Sequence, residues 1–73
     1  MQQQNIRGIQ RRQRILAFVT AYTAEHGFPP SVRDITAGVG LASTSTTDYH
    51  LSVLADQSKV SRTPSSARTI EVL

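Results

Sequence analysis

A chain of 73 residues carries one domain, and a core of that size is marginal unless its secondary structure is regular and well packed. There is no cysteine, which removes disulfides and thiolate zinc sites, and 2 histidines alone make a poor metal centre, so no metal and no other cofactor is expected. The formal net charge is +3, unevenly spread: Arg7, Arg11, Arg12 and Arg14 all precede the first acid, Glu25, a second basic group follows at Lys59, Arg62 and Arg68, and between the two groups Asp34, Asp48 and Asp56 face Arg33 alone. Basic flanks around a polar centre suit a module whose edges hold phosphates while its middle reads bases, although charge alone fits a solvated surface equally well.

Residues Met1 to Gly8 are rich in glutamine and poor in apolar groups, so they read as a flexible tail ahead of a domain spanning 9–73. Ile15, Phe18, Val19 and Tyr22 then follow the i, i+3, i+4, i+7 spacing of an apolar helix face, extended by Leu16. This predicts a first helix from about Gln10 to Glu25, ended by Gly27 and the extended Pro29-Pro30 pair. Ser31 stands at an N-cap position with Asp34 three residues on, an imperfect capping box, and Val32, Ile35 and Val39 share one face, which predicts a second helix from about Ser31 to Val39. Gly40 supplies the turn, Leu41 plugs the angle between two helices, and Ser43 or Thr44 restarts a third helix running to about Gln57. Beyond it, Lys59 to Thr63 and Thr69 to Leu73 read as the strands of a β-hairpin around the turn-like Pro64-Ser65-Ser66-Ala67.

The expected fold is therefore mainly α (α+β): a three-helix winged helix-turn-helix with a C-terminal two-stranded β-hairpin wing. At about 100° per residue, Thr47, Leu51 and Leu54 fall on the inner side of the third helix, and Ser45, Tyr49, Ser52 and Asp56 on the outer side. That outer side lacks arginine and lysine, so any base reading by it uses hydroxyls, a carboxylate and an aromatic ring. Asp48 can accept from a cytosine amino group, and Tyr49 can pack on a thymine methyl or reach a phosphate. The corresponding plain readings are a solvated helix acid and a surface tyrosine leaning on the wing. His50 lies nearer the core and reads as a structural histidine. The longest apolar run, Ile15 to Val19, is far shorter than the roughly 20 residues that cross a bilayer, and the start of the chain lacks a secretory pattern, so the cytoplasm is the default location.

The ordered string Phe28-Pro29-Pro30-Ser31-Val32-Arg33-Asp34-Ile35, then Val39-Gly40-Leu41, then Ser43-Thr44-Ser45-Thr46 through Tyr49-His50-Leu51, resembles the DNA-binding domain of LexA repressors in its form with a serine- and threonine-rich recognition helix. The resemblance runs from about Ile6 to the C-terminus. It implies a winged domain that binds a palindromic operator as a dimer, represses transcription in the manner of an SOS-response regulator, and works in the bacterial cytosol or nucleoid, whether encoded by the host or by a phage. The positions matching the family's base-reading stretch are Ser43, Ser45, Thr46, Asp48 and Tyr49, with Arg7, Arg11, Arg12, Arg14, Arg33, Arg62 and Arg68 as the phosphate-contacting set.

Three departures qualify the resemblance. LexA proteins continue into a domain that dimerises and cleaves its own linker with a serine and a lysine; the only lysine here is Lys59, and Ala37-Gly38, which looks like the cleavage dipeptide, falls inside the second helix, so no self-cleavage is expected. Without a dimer domain the chain is expected to be a monomer or weak dimer reading one half-site with micromolar, strongly salt-dependent affinity. Near the end of the third helix the family has glycine and an apolar residue where Ser58 and Lys59 stand, and a non-glycine residue in a left-handed cap costs about 1 kcal/mol. The competing reading is a winged-helix protein-interaction module that binds another regulator or homodimerises through the wing, which the arginine-free outer face would equally allow. An enzyme is not expected: Asp48 and His50 point to different faces, no serine has a base and an orienting acid, and no phosphate-cradling glycine loop is present.

Overall fold

A computed structural model describes residues 6–62 and 70–73 and shows helices α1 (Ile6–His26), α2 (Val32–Val39) and α3 (Thr44–Asp56), followed by strands β1 (Val60–Ser61) and β2 (Glu71–Val72). The strands pair antiparallel with Val60 opposite Val72 and Ser61 opposite Glu71, and the Leu73 amide donates to the Lys59 carbonyl at 3.0 Å. This is the three-helix winged arrangement that the pattern predicts. Both strands are shorter than the segments read from sequence, and the turn at Pro64 to Ala67 lies outside the described residues.

Helix α1 starts at Ile6, so Ile6, Arg7 and Gly8 belong to it rather than to a tail, and Gly8 is buried; only residues 1–5 of the expected tail lie outside the description. The physical reason is that the isoleucines, glutamines and arginines before Ile15 sustain a helix without an obvious apolar stripe. Ile9, Gln13 and Leu16, spaced four and then three residues apart, line a small cleft of about 80 Å³ with Leu54, Gln57 and Lys59 at the end of α3. The glutamines and arginines around Ile9 hide this stripe from a reading by composition, yet they are good helix formers.

The core gathers Ile15 and Val19 of α1, Ile35 and Val39 of α2, Leu51 and Leu54 of α3, and Val60 and Ile70 from the wing. Leu16, Phe18, Val32, Leu41 and Ala55 pack around it, and Leu41 thus plugs the interhelical angle as its position in the turn predicts. Val72 and Leu73, by contrast, remain exposed at 40% and 72%.

Local chemistry sets the helix ends. The Ser31 hydroxyl accepts from the Asp34 amide at 3.1 Å and the Asp34 carboxylate accepts from the Ser31 amide at 3.0 Å, so the capping box is complete despite the aspartate. That carboxylate also accepts from the Tyr22 hydroxyl at 3.2 Å, which ties the start of α2 to α1. Gly40 takes φ +79°, and the Gly40 and Leu41 amides both donate to the Thr36 carbonyl, closing α2 in a left-handed cap. The Arg14 guanidinium donates to the Val39 carbonyl at 2.8 Å, a cation placed at the negative end of α2.

Two positions carry steric cost. Ser58 sits at φ +58° immediately beyond α3, and the bonds from the Ser58 amide to the Ala55 carbonyl and from the Lys59 amide to the Leu54 carbonyl, at 3.0 and 2.9 Å, form the double closure in which glycine usually holds this place. Gly38 lies on α2 where a Cβ would overlap the Phe18 ring, so the absence of a side chain lets α1 and α2 approach closely.

Two outcomes follow for stability. Ser58→Gly is expected to stabilise the domain by about 0.5–1 kcal/mol in urea denaturation, because relief of the left-handed strain outweighs the extra freedom of glycine in the unfolded chain. Gly38→Ala is expected to destabilise it by about 1 kcal/mol, since overpacking exceeds the gain in helix propensity, and Phe18→Leu in the Ala background should recover part of the loss.

Candidate nucleic-acid interface

Helix α3 is short and exposes one long side, so its rotation about its own axis decides what it offers. Ser43 caps it from an extended conformation (φ −159°, ψ 164°), with its hydroxyl accepting from the Thr46 amide at 3.3 Å and sharing a proton with the Thr46 hydroxyl at 3.2 Å. Thr47 and Leu51 are fully buried, with Leu54 and His50 at 1% and 4% exposed. Ser45, Tyr49, Ser52 and Asp56 are exposed, as the helical wheel predicts, Asp48 is exposed with them, and Tyr49 reaches 62%. The rotation is fixed by the Thr36 and Thr47 hydroxyls, which meet at 2.6 Å between α2 and α3. Thr36 also reaches the Val32 carbonyl at 2.8 Å and Thr47 the Ser43 carbonyl at 3.4 Å, so the two hydroxyls sit in a short network between α2 and α3.

The structure sorts the expected phosphate-binding arginines into two groups. Arg7, Arg11 and Arg33 are exposed on α1 and α2, and no hydrogen bond or ion pair engages them among the described residues. Arg12, Arg14 and Arg62 each hold another part of the protein: Arg12 reaches His50, Arg14 the end of α2, and Arg62 the Asp48 carboxylate at 3.0 Å. Arg68 lies outside the described residues. Within the expected base-reading set, Ser45 and Tyr49 stand clear of the core, Ser43 and Thr46 are engaged with each other at the cap, and Asp48 is paired with Arg62. These three arginine partnerships span 14 to 38 positions in sequence, and no local pattern announces them.

The Arg12 contact places the basic half of α1 beside α3. Its Nη1 lies 3.2 Å from His50 Nδ1, and a guanidinium can only donate, so the ring accepts there and carries its proton on Nε2. The Tyr49 ring rests edge-on against the same imidazole, with centroids 5.3 Å apart. Burial lowers the His50 pKa below its usual value, and the positive charges of Arg12 and Arg11 lower it further. A histidine of depressed pKa takes up its proton in the unfolded chain first, so its contribution is complete above about pH 6.5 and is lost as the pH falls from there towards the folded-state value. Stability measured in urea should therefore drop between pH 7 and pH 5, and His50→Gln should flatten that part of the profile while lowering the value at pH 7.

A helix-turn-helix with a polar outer face, a basic helix alongside and a short wing is the geometry on which similarity to known proteins can be weighed. The family model described as the LexA DNA binding domain matches residues 7–69. The chain is 48% identical over 63 residues to proteins named LexA repressor from Bacillus mycoides (strain KBAB4), Bacillus cereus (strain Q1) and Bacillus anthracis. That alignment covers 86% of this chain and 31% of each relative, so the chain spans about a third of the length of those repressors. The matched stretch includes the three helices and strand β1 almost whole, together with the exposed face of α3, and on these grounds the chain belongs to the LexA DNA-binding domain family.

Proposed function

We propose that this domain binds double-stranded DNA sequence-specifically as a LexA-like transcriptional regulator, with α3 in the major groove. The observation that carries the reading is the outer side of α3: Ser45 and Tyr49 project from a helix whose other side is locked into the core, with the exposed cations Arg7 and Arg11 on the neighbouring helix. Family membership gives that surface its meaning. Ser45, Thr46 and Tyr49 contact base edges, and Ser43 combines its capping role with a place at the groove. Arg7, Arg11 and Arg33 bind phosphates directly, whereas Arg12 and Arg14 contribute charge from positions that also hold the fold together. Arg68 is assigned to a phosphate on the same pattern.

One copy engages one half-site, as a monomer or weak dimer. The bacterial cytosol or nucleoid is the corresponding location. No helix of the described residues is long and apolar enough to cross a membrane, and no group of three metal-ligating side chains occurs among them. The family is that of a DNA-binding domain, and the chemistry assigned to this one is recognition without catalysis.

Selection from a randomised duplex pool followed by titration of the recovered site tests the proposal. With three to four phosphates neutralised, affinity should fall about 40- to 150-fold between 50 and 200 mM salt. Ser45→Ala with Tyr49→Ala should abolish preference for the selected site over a scrambled duplex while leaving the weak, salt-sensitive binding to either. Equal affinity of the unaltered protein for both duplexes would end the claim of sequence specificity.

A further inference from the structure

Asp48 and Arg62 form a pair that the reading of α3 leaves over. Asp48 lies in the second turn of α3 on the exposed side, and Arg62 follows β1 at the base of the wing. Arg62 Nη2 donates to Asp48 Oδ1 at 3.0 Å, with the arginine side chain 28% and the aspartate side chain 55% exposed. A lone carboxylate at this place would face the phosphates of any duplex laid along α3 and repel them. Paired, its charge is offset, and one of the five N–H donors of the guanidinium is spent on it while the others stay available.

We propose that Asp48 is a positioning residue, and that it holds Arg62 so that the guanidinium meets a DNA phosphate at the edge of the major groove; Asp48 does not itself read a base. The inference rests on the DNA-binding reading given above. Arg62 reaches the exposed side of α3 from a different element, the base of the wing, and is assigned to the groove wall, where phosphates lie, while α3 occupies the floor. An arginine whose stem is half-buried and whose fork is already held loses less freedom when it binds than a free surface side chain does. The wing and α3 are thereby joined at the point where both meet the duplex.

The test is a double-mutant cycle of Asp48→Asn and Arg62→Met, titrated on the selected duplex at two salt concentrations, with Nε–Hε relaxation of Arg62 measured in the free protein. Arg62→Met should weaken binding about tenfold and make the salt slope shallower by about one. Asp48→Asn should weaken it about threefold with a smaller change of slope, and the double variant should match Arg62→Met alone. In the free protein Asp48→Asn should make the Arg62 side chain more mobile.

Tighter binding by Asp48→Asn, losses that multiply in the double variant, or a new preference at one base pair would each overturn the proposal. Unchanged Arg62 mobility would do so without any DNA present. Failure of the unaltered protein to prefer its selected duplex would count against the DNA reading itself and is read out separately.

Discussion

Between α2 and α3 the Thr36 and Thr47 hydroxyls meet at 2.6 Å, and the Thr36 proton continues to the Val32 carbonyl. With the Ser43 carbonyl also within reach of Thr47, the pair satisfies buried polar groups and favours one rotation of α3. Apolar neighbours such as Leu51 and Leu54 tolerate a small roll of the helix, because a methyl group packs in several orientations; a hydroxyl bond at this distance does not. A roll of one residue, about 100°, would turn Asp48 inward and Thr47 out to solvent. The identity of the surface offered by α3 thus depends on an interaction that never touches that surface.

The arginines tell a related story about composition and function. Sequence counts treat Arg7, Arg11, Arg12, Arg14, Arg33 and Arg62 alike, yet three of them are drawn to partners inside the domain. Arg14 closes the end of α2 and so braces the turn before α3, Arg12 supports the imidazole on which Tyr49 rests, and Arg62 joins the wing to α3. The basic flank is therefore part exposed charge and part scaffold, and the same residue type takes both places within the first three turns of α1.

What could be read from the chain alone was what local physics decides. The Ser31 box, the Gly40 reversal, the Ser43 cap and the inner stripe of α3 depend on residues within about seven positions of one another, and each is found where the pattern puts it. Ser58 was legible too, since its cost follows from a backbone angle that the end of α3 requires. The start of α1 was not, because Ile9 stands isolated among glutamines and arginines and meets the end of α3, across a small cleft, only in the folded chain. The Asp48 and Arg62 pair is equally hidden in the sequence: 14 positions separate the two residues, and only the return of the chain through β1 brings them together.

Strand β2 carries one last consequence. It is only two residues long, and Val72 and Leu73 lie exposed beside Glu71, which is exposed as well. A bare sheet edge with apolar side chains is a template on which other chains can add, and concentrated solutions of such domains are prone to self-association. Here the short ladder offers few backbone groups to an incoming strand, and Glu71, the first of its two residues, sets a charge beside the apolar side chains. A charge on an edge strand is one of the devices by which sheets discourage edge-to-edge addition, and Glu71 holds that place here.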